Sequence, residues 1–365
     1  MTRQTAQPRP LESRLETSLR RGLLLVGGVV LVALAFFLYR GNDAGGPTST
    51  KPAEAVVGRS PAESPAAEQA PPDPAGAPTE PEGAGPRTGS DGAPAAVVTA
   101  LGIPVEVLEV TGAGYSVRTP CGGVAEVSAG VPIERVRVVI DPGHGGRWDT
   151  GAVGPNGLVE RDLNLTLSRA VLDELARRGI AATTTRAGDY SMLHSVRAGF
   201  ADALRADALV SIHHNAPTWS RRSAPGSEVY VQSATAHQAR HDSARLGGLL
   251  YQEITTALAT FDGIAWSGLP NAGVLRVLRS EGDDAYGMIR RPSVPTALVE
   301  YGYLSNPSEA ALFATVEYIR AAATATADAI EAYLHSDRAG TGFVQEPRVY
   351  NPRSASTPCQ DPVLE

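Results

Sequence analysis

The sequence predicts an α/β domain over residues 135–335, a mostly parallel sheet flanked by helices, and three observations predict it. Short apolar runs of strand length alternate with longer runs of helical period. Three of the short runs, Val138-Val139-Ile140, Leu209–Ile212 and Ala297–Val299, are followed at once by polar residues able to bind metals or move protons. Between them the helices carry their own start and stop signals, among them Gly179 and Asn306-Pro307.

In chain order, residues 1–21 are basic, with Arg20 and Arg21 directly before the uncharged run Gly22–Tyr39. That run is long enough to cross a bilayer as a helix, and the flanking arginines keep the N-terminus in the cytoplasm. Residues 22–39 are therefore expected to be a transmembrane anchor with everything after them extracytoplasmic; a cleaved signal peptide and a secreted product is the alternative. Residues 40–95 hold 11 of the 28 prolines between Gly41 and Ala95, with no aromatic residue, Leu or Ile. Such a stretch buries too little surface to offset its ordering entropy and is expected to be a disordered linker.

Residues 96–134 contain Val105–Val110 and Tyr115–Thr119 around a Gly112–Gly114 turn, which predicts a small N-terminal β-hairpin. The first strand of the α/β domain is Val136–Asp141. A helix follows over Leu163–Arg178, with Leu167, Val171 and Leu175 on one face. Strands are expected at Ala181–Arg186, Ala208–His213, Glu228–Gln232 and Thr296–Glu300, and helices at Leu193–Leu204 and His237–Leu258. One last helix runs from the cap Asn306, with Glu309 closing a capping box, through Leu312, Val316, Ile319, Ala323, Ala327, Ile330 and Leu334. Residues 336–365 are polar and proline-bearing, and are expected to lie on the surface as a tail.

Composition excludes several classes of function. A net charge of −7 leaves no basic excess for nucleic acid, and 5% aromatics are too few for a broad stacking platform. With only Cys121 and Cys359, a four-thiolate zinc site is excluded. In an exported chain these two cysteines either pair, clamping the tail to the hairpin, or stay as free thiols.

Ligands bind open α/β sheets at the carboxyl ends of the strands. There the sequence places Asp141-Pro142-Gly143-His144-Gly145-Gly146, His213-His214-Asn215 and Glu300, with Glu160 just before the first helix. Each has a plain alternative: a tight glycine turn, a helix-start acid, a hydrogen-bonded core histidine, a solvated strand end. Their shared rim makes a site the better reading. Adjacent strand residues face opposite ways, so only one of His213 and His214 is expected to reach a common ion.

In this order DPGHGG, GLVERDLNL, TTTR, SIHHNA and VEYGYLSNPSEA resemble the zinc-dependent N-acetylmuramoyl-L-alanine amidases of the amidase-3 type, over roughly Arg135 to Leu334. The resemblance implies one Zn²⁺ held by His144, Glu160 and His213, and Glu300 as catalytic base. It implies hydrolysis of the amide joining N-acetylmuramic acid to L-alanine in peptidoglycan. His214, Asn215, Arg186 and Arg197 are carried as substrate-facing or supporting residues; the two arginines serve equally well as ion-pair scaffolding. His194, His237, His241 and His335 fall on expected helices and are read as structural or solvated. Ser280–Arg291 reads as an insertion near the site: a longer loop by default, a lid or a protein activator's contact otherwise. A monomeric, membrane-tethered cell-wall hydrolase is the resulting expectation. A catalytically silent cell-wall-binding or regulatory relative, or another zinc peptidase or deacetylase, is the alternative.

Overall fold

The structure is a computed structural model of the 365-residue chain. It describes residues 93–133, 135–217, 220–233, 240–344, 346–352 and 357–365. The chain divides into two units, Met1–Pro65 and Ala66–Glu365, and the described residues all belong to the second. The expected membrane span and most of the expected linker lie outside them. Among the described residues, no helix is long and apolar enough to cross a membrane.

The expected hairpin is present, as β2 (Pro104–Thr111) and β3 (Gly114–Arg118), but it is part of a larger sheet. With β1 (Ala96–Thr99), β4 (Val124–Val127) and β5 (Gly130–Ile133) it forms five strands in the order β4-β3-β2-β1-β5. Each neighbouring pair is antiparallel. Val97, Val105, Val117 and Val127 bury one face of this sheet.

The α/β domain begins with β6 (Val138–Pro142), α1 (Glu160–Arg177), β7 (Ala182–Thr184), α2 (His194–Ala203) and β8 (Ala208–Asn215). It continues through β9 (Ser220–Arg222), β10 (Glu228–Val231), α3 (Arg240–Leu258), β11 (Trp266–Gly268), β12 (Val274–Leu275) and β13 (Val277–Leu278). Then come α4 (Gly287–Arg290), β14 (Thr296–Tyr303), α5 (Pro307–Phe313), α6 (Val316–His335) and β15 (Arg348–Val349). The six-stranded central sheet has the order β12-β10-β14-β8-β6-β7. All its pairs are parallel except β10 with β14.

The two-residue period of the strands divides the core in two. Val138, Ile140, Val210, Ile212 and Val299 face α1, α3 and α6 through Leu167, Val171, Leu250 and Ile330. Val139, Leu209, Tyr230 and Leu298 face the other way, onto Phe200 of α2 and Met288 and Ile289 of α4. Side chains at the C-terminal rim inherit this alternation.

Three expectations need correction. The last helix is two: Thr315 Oγ1 accepts from Tyr318 N at 3.2 Å, capping α6 and separating it from α5. That break turns Tyr318 inward against Phe313, with ring centroids 4.7 Å apart, and leaves Val316 exposed. Asn306 does cap α5, but Glu309 does not close a capping box; it accepts from Ser267 N and Tyr303 N, each at 2.7 Å. The tail is not merely superficial. Its β15 pairs with β13, Cys359 is bonded to Cys121 across 238 positions, and Leu364 is buried in the core of the N-terminal sheet. Ser280–Arg291 is packed: buried Asp284 accepts from Ser233 N through both oxygens at 3.1 and 3.0 Å, and Met288 and Ile289 are buried. Of the helix histidines, His237 lies outside the described residues, and His241 and His335 are exposed.

Candidate metal centre

Where β6 ends, the chain turns through Gly143-His144-Gly145-Gly146, and His144 takes a φ of 63°. Such a left-handed conformation is uncommon for a residue with a side chain and persists only where the surroundings enforce it. Two buried arginines do so here. Arg186 Nε and Arg197 Nη2 each donate to His144 O at 2.8 Å. Arg186 also holds the carbonyls of Gly143 at 3.1 Å and Arg161 at 2.7 Å. Arg197 pairs with buried Asp141 at 2.7 Å. Burial alone would raise the Asp141 pKa; Arg197, Thr185 and Ser211 outweigh it and hold the carboxyl well below its usual range. Burial, then the neighbouring Arg197, pushes Arg186 down to about 10. Both arginines therefore hold the loop that carries His144.

Glu160 is the first residue of α1 and is buried. Its Oε1 lies 3.1 Å from His144 Nε2 and 3.1 Å from His213 Nδ1. The donor atoms of His144, Glu160 and His213 all fall within 4.8 Å of one another. On its far side His144 Nδ1 meets Asp149 Oδ1 at 2.6 Å, which fixes the tautomer and aims Nε2 at the centre. Glycines make room for this convergence: a Cβ on Gly143 would sit 2.2 Å from the His213 ring, and one on Gly151 2.4 Å from Glu160 Oε2. For His144, burial disfavours the charged ring, but Glu160 and Asp149 outweigh it and raise its proton affinity well above normal. Burial likewise works against charge on Glu160, and the two histidines overcome it, holding that carboxyl well below its usual range.

Glu300 is the Cα partner of His213 across the β14–β8 pairing, so the two stand side by side at the rim. Its Oε2 is buried with no hydrogen-bond partner. Burial, then the charges of Glu160 and Glu228, raise its pKa well above the carboxylate range. Because β10 runs antiparallel, its first residue, Glu228, is brought to the same rim as the ends of the parallel strands and pairs with Glu300.

His214 points to the opposite face, as strand alternation requires, and is no substrate-facing residue. It is buried, stacks on Tyr301 with centroids 5.5 Å apart, and meets Asn164 Oδ1 at 2.8 Å through Nδ1 and Tyr318 OH at 2.6 Å through Nε2. Burial keeps it neutral by lowering its pKa to about 3. Asn164 Nδ2 donates to Gly143 O and Glu160 Oε1, both at 3.3 Å, so its Oδ1 is the acceptor for His214 Nδ1–H. Tyr318 then donates to His214 Nε2, and the chain of bonds ends on Glu160. Asn215 caps the strand end, its Oδ1 accepting from Ala216 N at 2.8 Å.

Asp149, Asn164, Tyr318 and Glu228 were not singled out in the sequence. Asn164 had a signal, standing four residues from Glu160 on one helix face. A cavity of about 430 Å³ lined by Arg135, Val136, Arg137, Ala181 and Asp207 lies at the other end of the strands, where Arg137 pairs with Asp207, and takes no part in this site.

Two imidazoles and a carboxylate, converging beside a second carboxylate with an unpartnered oxygen, fit a divalent cation with an open position. Fold and site thus define a metal-site α/β hydrolase. A family model described as N-acetylmuramoyl-L-alanine amidase matches residues 138–332. Protein YqiI of Bacillus subtilis is 34% identical over 214 residues, covering 59% of this chain and 90% of that one. N-acetylmuramoyl-L-alanine amidase AmiA of Escherichia coli is 32% identical over 222 residues, covering 54% of this chain and 76% of its own. Among solved structures, the amidase AmiC2 of Nostoc punctiforme matches at 30% identity and a TM-score of 0.43, covering 54% of this chain and 96% of that one. The chain belongs to the N-acetylmuramoyl-L-alanine amidase family.

Proposed function

We propose that the chain cleaves the amide between the lactyl group of N-acetylmuramic acid and L-alanine in peptidoglycan, with His144, Glu160 and His213 holding one Zn²⁺ and Glu300 moving the proton. The observation that carries this reading is the convergence of those three donors beside the free oxygen of Glu300. A zinc ion held by His144, Glu160 and His213 would supply a Lewis acid for the scissile carbonyl and would acidify water. Glu300 accepts the proton of the attacking water through its unpartnered oxygen and returns it to the departing alanine nitrogen. Its raised proton affinity, which a bound cation opposes, suits a group that must both take and give a proton. Asp149 aims His144, Asn164 steadies Glu160, and Arg186 and Arg197 hold the loop that carries His144.

The uncharged Gly22–Tyr39 run behind Arg20 and Arg21 supports a single-pass anchor with the hydrolase extracytoplasmic. Membrane fractionation of the full chain tests it: recovery in the soluble fraction at unchanged N-terminal sequence would exclude it. Product analysis on isolated peptidoglycan tests the reaction itself. Free lactyl carboxyls and new alanine N-termini are expected. New reducing ends, deacetylated sugars or cuts within the peptide would assign another hydrolase, and no product from the zinc-loaded protein would leave a silent relative.

A further inference from the structure

After α6 the chain leaves the residues matched by the family and runs back across the molecule. Thr341 N donates to Gly248 O at 3.1 Å, Val344 N donates to Val274 O at 2.8 Å, and β15 lies parallel to β13. The end of the chain is fastened to the N-terminal sheet by the Cys121–Cys359 bond, and Asp361 accepts from Thr119 Oγ1 at 2.9 Å and Cys121 N at 2.7 Å. Leu364 completes the attachment as a buried core residue.

Between these anchors Arg348 faces inward. Its guanidinium donates to both oxygens of Glu228, at 2.9 and 2.8 Å, and to Asn271 Oδ1 at 3.0 Å. Glu228 is wholly buried and also accepts from Tyr230 OH at 2.8 Å. Two residues on, Tyr350 stacks on Tyr286 at 5.6 Å, and Tyr286 on Tyr230 at 5.0 Å. The strap thus supports the Glu228–Tyr230 pair at two points.

Glu228 stands directly opposite Glu300, on the same face of the sheet. Like charges so placed repel, and a buried carboxylate without a counter-ion is strongly unfavourable. The disulfide, the buried leucine and the strand pairing already fasten the strap, and the Arg348–Glu228 pair supplies the counter-ion that buried Glu228 needs. Its position beside Glu300 gives it another use.

We propose that this C-terminal strap is a working part of the active site and that Arg348 is a positioning residue: by gripping both oxygens of Glu228 it keeps that carboxylate from engaging Glu300 or the metal-binding group, leaving Glu300 free to face the substrate. The inference rests on Glu300 being the proton-moving residue.

Steady-state kinetics of the full-length, zinc-loaded chain on peptidoglycan test it. Arg348→Met should lower kcat by about tenfold or more, with KM changed by less than about threefold and one zinc retained. Arg348→Lys, which keeps the charge without the fork, should fall between Arg348→Met and the natural chain. The double variant Arg348→Met/Glu228→Gln should recover most of the lost kcat, because no bare carboxylate remains beside Glu300. A strap that only stabilised the fold would lower the melting temperature and leave kcat of the folded, zinc-loaded protein unchanged. Unchanged kcat in Arg348→Met, or a double variant as slow as the single one, overturns the proposal; if Arg348→Met does not fold, unchanged kcat in Arg348→Lys does the same. Glu300→Gln, assayed in parallel, separates the two readings: if it stays active, the assignment of Glu300 has failed, whatever Arg348 does.

Discussion

Adding a single methyl group at Gly143 should dismantle the metal site while leaving the fold. A Cβ there would lie 2.2 Å from Cε1 and Nε2 of His213 and 2.7 Å from its Cδ2. Carbon atoms in ordinary contact stand about 3.5–4.0 Å apart, so one side must retreat by more than about 1 Å. Gly143 cannot easily do so: its N donates to Ile212 O at 3.0 Å, and its carbonyl accepts from Arg186 at 3.1 Å and Asn164 at 3.3 Å. The backbone of His213 is pinned as well, because β8 is paired on both sides, with β14 and β6. What moves is the imidazole, away from its 3.1 Å approach to Glu160. Misplacing a site group by about 1 Å costs on the order of 10² in rate, and overpacking costs about 1–3 kcal/mol of stability. Gly143→Ala should therefore melt a few degrees lower, bind zinc poorly and lose about 10²-fold in peptidoglycan hydrolysis. Gly112→Ala is the control, since nothing lies within 4 Å of its added Cβ. Full zinc occupancy and natural turnover in Gly143→Ala would refute the placement of the His213 ring.

Two other outcomes follow from the packing. His214 has a folded pKa of about 3 against an ordinary value of 6.5, so the unfolded chain binds its proton first. Its contribution to stability is whole above about pH 6.5 and is lost as pH falls toward 3, by about 1.4 kcal/mol per unit. Urea unfolding of the metal-free protein at pH 7.5 and 5.5 should show a smaller loss for His214→Gln than for the natural chain; equal losses would mean that His214 is not buried neutral. The Cys121–Cys359 bond spans 238 positions, and closing so long a loop is worth about 5–6 kcal/mol in the chain-entropy model. Replacing both cysteines by serine should lower denaturant stability by up to that order, and neither cysteine of the natural, unreduced protein should be alkylated.

Much of the site was legible because strand ends carry it. Runs such as Val138-Val139-Ile140 announce a buried strand, and a polar residue at the end of such a run has few places to go other than the rim. Strand alternation alone said that only one of His213 and His214 would reach the site, and the resemblance chose His213. What stayed hidden depends on partners distant in sequence. Nothing near Glu228 says that β10 runs antiparallel, yet this is what brings it opposite Glu300. Arg348 sits in a polar tail, and its role depends on a partner 120 positions away. Gly130–Ile133 pairs only with Ala96–Thr99, far back along the chain, and both strands are short, so a local reading finds just the hairpin between them. The break before α6 was masked by apolar periodicity that runs on through Thr315, whose side chain makes the cap.

We propose that His144, Glu160 and His213 hold the metal while Glu300 moves the proton. Glu300→Gln keeps the size and a hydrogen-bonding oxygen but cannot accept a proton. Zinc content and turnover on peptidoglycan, measured on the same preparation, should show one zinc per chain and turnover reduced by about 10²–10⁴. Near-natural turnover would remove Glu300 from the mechanism, and a zinc-free protein would make it a ligand; either result contradicts the division of roles.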